Sequence, residues 1–139
     1  NCDSVSMISM GNPAPVNDAL KSRYQEQAVP FAEINYNNAG YTLALAPTLY
    51  NMDGKDAYVI TVTSPSGAVS KKYYDAQTGL KLRDEVISEQ GNATYDYSNY
   101  KEVSGIMLPF SQTVSQGVDF TLTVTDAKIN SGLKDEDFK

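Results

Sequence analysis

The chain has no histidine, no tryptophan and a single cysteine. Without histidine there is no Ser-His-Asp or Cys-His nucleophile system and no zinc site built on imidazole. With only Cys2, no internal disulfide can form. No run of residues approaches the ~18 apolar positions that a membrane-spanning helix needs. Positive charge is also scarce: 11 Lys and Arg stand against 17 Asp and Glu, for a net charge of −6. That balance disfavours nucleic acid, whose phosphates need a basic surface, and it disfavours docking on anionic lipid.

What remains is a chain of 139 residues, 41% hydrophobic, with ten tyrosines and four phenylalanines as its aromatic mass. This length is one domain by size and buries roughly two-thirds of its unfolded surface, enough for a real core. Residues 1–16 hold Ser, Met, Gly, Asn and two prolines without periodicity, and read as a linker or flexible arm ahead of a single domain over 17–139. Cys2 has two readings, a thiol acylated after signal cleavage or a free thiol on a frayed end. Asn1 stands against the first, because small residues are preferred before such a cysteine. The first residue is Asn, so the chain is read as a processed or excised piece, and any export signal would lie outside it.

Asn17 suits an N-cap, and Asp18 suits the positive end of a helix dipole. Ala19, Leu20, Tyr24 and Ala28 recur at helical spacing, which predicts a helix over 18–28 that ends before Pro30. The apolar stripe is either a lid over a cavity or the cover of a sheet face. Phe31–Tyr36 reads as a short extended segment, 37–40 as a turn, and Tyr41, Leu43 and Leu45 as one face of a strand. Asn51–Asp56 reads as a turn. It lacks the closing Glu of a calcium loop, since position 62 is Val.

From Gly54 onward the period is two. Tyr58, Ile60 and Val62 alternate with Val59, Thr61 and Thr63. Ser64-Pro65-Ser66-Gly67 turns the chain, because Pro presets one φ and Gly accepts a positive one. Val69–Asp75 returns, Gln77-Thr78-Gly79 turns again, and Leu80–Val86 follows with Leu80 and Leu82 on one row. Further strands are expected at Thr94–Tyr100, at Ile106–Val114 and at Val118–Val124. Leu108 and Phe110 share a row, as do Phe120, Leu122 and Val124. Pro109 hints at an edge or an irregularity. Such closely spaced strands define a mainly β (α+β) chain, an antiparallel meander wide enough to curl, with the one N-terminal helix packed on its concave face.

The chemistry is sparse. No nucleophile elbow, phosphate loop, dinucleotide fingerprint or metalloprotease motif occurs. Ser131–Lys134 matches S-x-x-K without its partner motifs. Asp75, Asp84, Glu85 and Asp96 supply carboxylates, of which Asp75 fits a turn residue. Asn92-Ala93-Thr94 is a lone glycosylation triplet. Tyr73, Tyr74, Tyr95, Tyr97 and Tyr100 form an aromatic surface or divide between core and solvent. No catalytic residue, metal ligand or cofactor is assigned.

The strings GKDAYVITVTSPSG, KKYYDAQTGLKLRDE, YSNYKEVSGIMLPF and KINSGLKDEDF together resemble the LolA-like proteins of the bacterial envelope. The shared cadence is a YYD-x-x-T-GL hairpin, a Y-x-x-Y-x-x-V-x-G-x-x-x-P strand and an N-x-x-L-x-D-x-x-F close. Within that group the chain is most similar to the β-rich domain C-terminal to insulinase-family zinc peptidases of Bacteroidota-type bacteria. The resemblance covers about residues 31–139. It implies a strongly curved, unclosed β-barrel with helix in its concavity, exported to the periplasm or the outer membrane. It also implies a non-catalytic accessory domain whose partner is a peptidase domain of the same parent protein; this chain, lacking His, cannot carry H-x-x-E-H. The alternative is a free-standing carrier of lipid, lipoprotein or another hydrophobic ligand. Its lining would be Tyr58, Ile60, Val62, Leu80, Leu82, Leu108, Phe110, Phe120, Leu122 and Val124, which otherwise are ordinary core.

Overall fold

The structure, a computed structural model, describes residues 5–17, 21, 31–87, 91–129 and 132. The chain divides into two compact units, Asn1–Tyr41 and Thr42–Lys139.

In the first unit, β1 (Met7–Ser9) and β2 (Asn12–Ala14) form a hairpin with Met7 opposite Ala14. The arm therefore carries local structure where no periodicity announced it. Its turn is tight because Met10 (φ 51°) and Gly11 (φ 81°) both take the left-handed conformation. The helix expected over 18–28 lies outside the described residues apart from Lys21, whose N–H donates to the Asn17 carbonyl at 2.9 Å. Its packing on a concave sheet face is not borne out. Phe31–Tyr36, expected to be extended, is instead a 3₁₀ turn over Ala32–Asn35 entered from Phe31 at φ 53°. Bonds from Ala39 N–H to the Asn35 and Tyr36 carbonyls continue the coil, and Tyr36 stacks on Tyr41 with centroids 4.4 Å apart.

The second unit is one antiparallel sheet of eight strands. These are β3 (Thr42–Leu45), β4 (Tyr50–Met52), β5 (Lys55–Thr63), β6 (Val69–Asp75), β7 (Lys81–Ile87), β8 (Ala93–Val103), β9 (Ile106–Gln116) and β10 (Val118–Thr123). From β5 to β10 each strand pairs with the next in sequence. β3 and β4 both pair with β5, on the edge opposite β10. β3 and β10 do not pair, so the sheet is unclosed.

Local chemistry explains the meander. At the β5–β6 turn, Ser64 Oγ accepts the Ala68 N–H at 3.1 Å, and Gly67 sits at φ 87°. At the β6–β7 turn, Asp75 Oδ1 accepts the N–H groups of Gln77 (2.8 Å) and Thr78 (3.0 Å). The segment Asn51–Asp56 is not one turn but the tip of the β4–β5 hairpin. There Asn51 Oδ1 accepts the Gly54 N–H at 3.2 Å, and Asn51 Nδ2 donates to Asp56 at 3.1 Å. Pro109 lies within β9, opposite Tyr100 and beside Asn99 at φ 52°, the irregularity its missing N–H requires.

Candidate functional site

In an antiparallel pair, residues opposite one another project from the same face. Following the register from strand to strand therefore sorts the side chains into two faces. One, here the front, carries Leu43 and Leu45 of β3, Tyr58, Ile60 and Val62 of β5, Phe110 and Val114 of β9, and Phe120 and Leu122 of β10. The other, the back, carries Ala57, Val59, Tyr73, Arg83 and Asp96.

The back face holds the small cluster of Ala57, Val59 and Tyr73, with Ala46, Met52 and Leu82 packed against it. Tyr50 meets the Tyr73 ring edge-on at 5.6 Å. The Tyr73 hydroxyl donates to Glu85 Oε2 at 2.9 Å. Burial, and then that carboxylate, push the Tyr73 phenol up to about 12. Beside it Arg83 grips Asp96 through Nε and Nη2, the latter at 2.9 Å. The hydrogen bonds to Asp96 raise the guanidinium further above its ordinary value. Met52, Lys55, Leu82, Arg83, Asp96 and Thr113 line a half-open cleft of about 360 Å³.

The front face is apolar on both flanks and polar in the middle. Toward β10, Val118 is 76% exposed, Phe120 51% and Leu122 53%; toward β3, Leu45 is 63% exposed and Tyr58 46%. Val62, Ala93, Phe110 and Val114 of the same face are buried. Between the flanks lies an ionic network. Lys72 Nζ stands 3.2 Å from Asp84 Oδ1, Lys81 Nζ stands 3.2 Å from Asp84 Oδ2, and the Tyr97 hydroxyl donates to that same oxygen at 3.0 Å. Lys81 also lies over the Tyr97 ring at 5.7 Å. The Tyr100 hydroxyl donates to the Lys81 carbonyl at 2.7 Å, and burial, then the Asp84 charge, raise this phenol to about 12.

Of the residues singled out from the sequence, Tyr58, Ile60, Val62, Leu108, Phe110, Phe120 and Leu122 share the front face. Val124 joins them beyond the end of β10, its N–H donating to the Phe110 carbonyl at 2.9 Å. They occupy two groups, on β5 and on β9–β10, with three strands between. Leu80 and Leu82 do not extend this row. Leu80 belongs to the turn, where its carbonyl accepts the Asp75 N–H at 2.9 Å. Leu82 turns to the back cluster, because the β6–β7 register shifts between Tyr73 and Tyr74 and places an extra residue on β7. Sequence reasoning missed the Lys72–Asp84–Lys81–Tyr97 network. Its one signal was Asp84 on the otherwise apolar row of Leu80, Leu82 and Val86, whose meeting with Lys72 depends on register. Among the described residues no group of acidic or thiol side chains is placed to hold a metal ion. No described helix is long and apolar enough to cross a membrane.

No family model matches the chain, and no curated protein does. Two solved structures share its fold. One is a domain named for an outer membrane lipoprotein-sorting protein of Vibrio parahaemolyticus. It has a TM-score of 0.59 and 18% identity over 70% of this chain and 46% of that one. The other is a DUF1329 family protein of Desulfovibrio piger, with a TM-score of 0.64 and 19% identity over 83% of this chain and 50% of that one. The chain thus spans about half the length of each. What this chain shares with both is the fold, an open antiparallel β-sheet.

Proposed function

We propose that this chain binds an apolar ligand, a lipid or the acyl part of a lipoprotein, on the front face of its sheet in a bacterial cell envelope. The supporting observation is the run of exposed Val118, Phe120, Leu122 and Val124 on a face that also carries Tyr58, Leu43 and Leu45. Exposed apolar surface of this extent marks an interaction site. The fold shared with a lipoprotein-sorting domain suggests what kind. Ligand contact belongs to the exposed Tyr58, Phe120, Leu122 and Val124 and the half-buried Ile60 and Leu108, with Val62 and Phe110 buried on the same face as their support. Leu82 is left out because it packs on the back cluster, and Leu80 because it belongs to the turn before β7. Neither neighbour is named for a peptidase, so an accessory role beside a zinc peptidase has no support from them, and the ligand-binding reading replaces it.

Native mass spectrometry of the purified chain, with lipid extraction from the same sample, tests this. The expected result is a co-purifying fatty acid or phospholipid, or uptake on incubation. Phe120→Asp with Leu122→Asp should abolish it while far-UV circular dichroism stays unchanged. A clean mass with no uptake overturns the proposal.

A further inference from the structure

The sheet ends at β10, and this edge is built to pair. Val118–Thr123 is exposed throughout, runs in unbroken register along β9, and contains no Pro, Lys or Arg. Those are the devices that normally blunt an edge strand. Its opposite number β3 is only four residues long and is soon followed by Pro47.

The direction of the free backbone groups follows from one bond. Val124 N–H reaches the Phe110 carbonyl, so position 124 and its period-2 mates 122, 120 and 118 point their backbone groups at β9. Asp119, Thr121 and Thr123 therefore point N–H and C=O outward, and no described partner takes them. We propose that this edge pairs antiparallel with the β10 edge of a second copy of the chain, about a two-fold axis at Thr121. In that register Thr121 faces the second copy's Thr121, and Asp119 faces the second copy's Thr123. Each such pair exchanges both N–H···O bonds. The closer, non-hydrogen-bonded pair sets Phe120 against the second copy's Leu122 on the front face. Val118 falls opposite the second copy's Val124.

Self-pairing is favoured over other occupants because the strand is complementary to itself in this register. Every outward group finds a partner, apolar meets apolar, and the one charge, Asp119, meets a hydroxyl. Shifting by two residues in one direction puts Asp119 nearer its own copy and in either direction leaves outward groups unmatched. A two-fold contact of this kind closes at two copies instead of growing into a fibre. The inference stands apart from the ligand reading, although pairing would join two front faces into one apolar surface.

Sedimentation velocity across a wide concentration range tests it. The expected result is a monomer–dimer equilibrium. Thr121→Pro removes a central outward N–H that β9 does not use, and should weaken the dimer about tenfold to a hundredfold while circular dichroism is retained. Thr123→Lys, facing Asp119 of the second copy, should tighten the dimer, and Thr123→Asp should loosen it. A monomer at every concentration overturns the proposal. So does a dimer indifferent to Thr121→Pro, equal responses to the two Thr123 variants, or association found only with a different protein.

Discussion

Lys72 and Asp84 face each other directly across β6 and β7, nitrogen to oxygen at 3.2 Å, in the middle of a sheet face that is apolar on both flanks. Their side chains are 11% and 15% exposed. At that burial a pair stabilises chiefly because losing one member strands the other.

Asp84 also accepts from Lys81 and Tyr97, so removing it takes a shared partner from three donors at once. Asp84→Ala should lower unfolding free energy by about 2–4 kcal/mol, measured by urea denaturation. Lys72→Met keeps the stem and leaves Asp84 its other two donors; it should cost less. Equal losses would show that the network does not act through Asp84.

Arg83 and Asp96 form the fork-to-carboxylate pair on the back face, with about a third of each side chain exposed. Arg83→Lys keeps the charge but not the two-pronged geometry. The expected cost is about 1 kcal/mol, read as a lowered denaturation midpoint with the slope unchanged. A neutral result would reduce the pair to surface decoration.

Asp75 gives the fold an acid limit. The N–H groups of Thr78, then Gln77, hold its carboxyl below the ordinary 3.8. The folded pKa is depressed, so this contribution is fully present above the unfolded value and is lost as pH falls through the folded one. Stability should therefore decline below about pH 4, and Asp75→Asn should flatten that decline. An unchanged acid profile in the variant would remove Asp75 from the account.

The alkaline limit has the opposite sign. Tyr73 and Tyr100 both titrate near 12, above the ordinary 10.0. Their folded values are raised, so the stability they confer is present below pH 10 and is lost as pH rises toward 12. Titration followed by tyrosinate absorbance should show a late-ionising fraction, reduced in Tyr73→Phe and again in the double variant with Tyr100→Phe. Ionisation of all the tyrosines together near 10 would contradict this.

Strand identity was legible wherever the period-2 signal ran between clear turns. Val69–Asp75 stands where it was read, and within each of β5, β9 and β10 the alternating residues keep to one face as the period required. β4 was missed because Tyr50-Asn51-Met52 is too short to show a period and merges into turn residues. Phe31–Tyr36 was misread because its apolar residues say nothing of the left-handed entry at Phe31 that starts a 3₁₀ turn.

The sequence by itself determined the period, the turns and the two unlike sides of each strand, because those depend on residues one or two positions apart. Tertiary structure alone decided which sides coincide. The register shift between Tyr73 and Tyr74 sends Leu82 to the back, and the pairing of β6 with β7 sets Lys72 on Asp84, twelve residues away along the chain. Register is a choice among whole-strand alignments, in which one step moves every side chain to the other face. No local stretch carries enough information to make that choice.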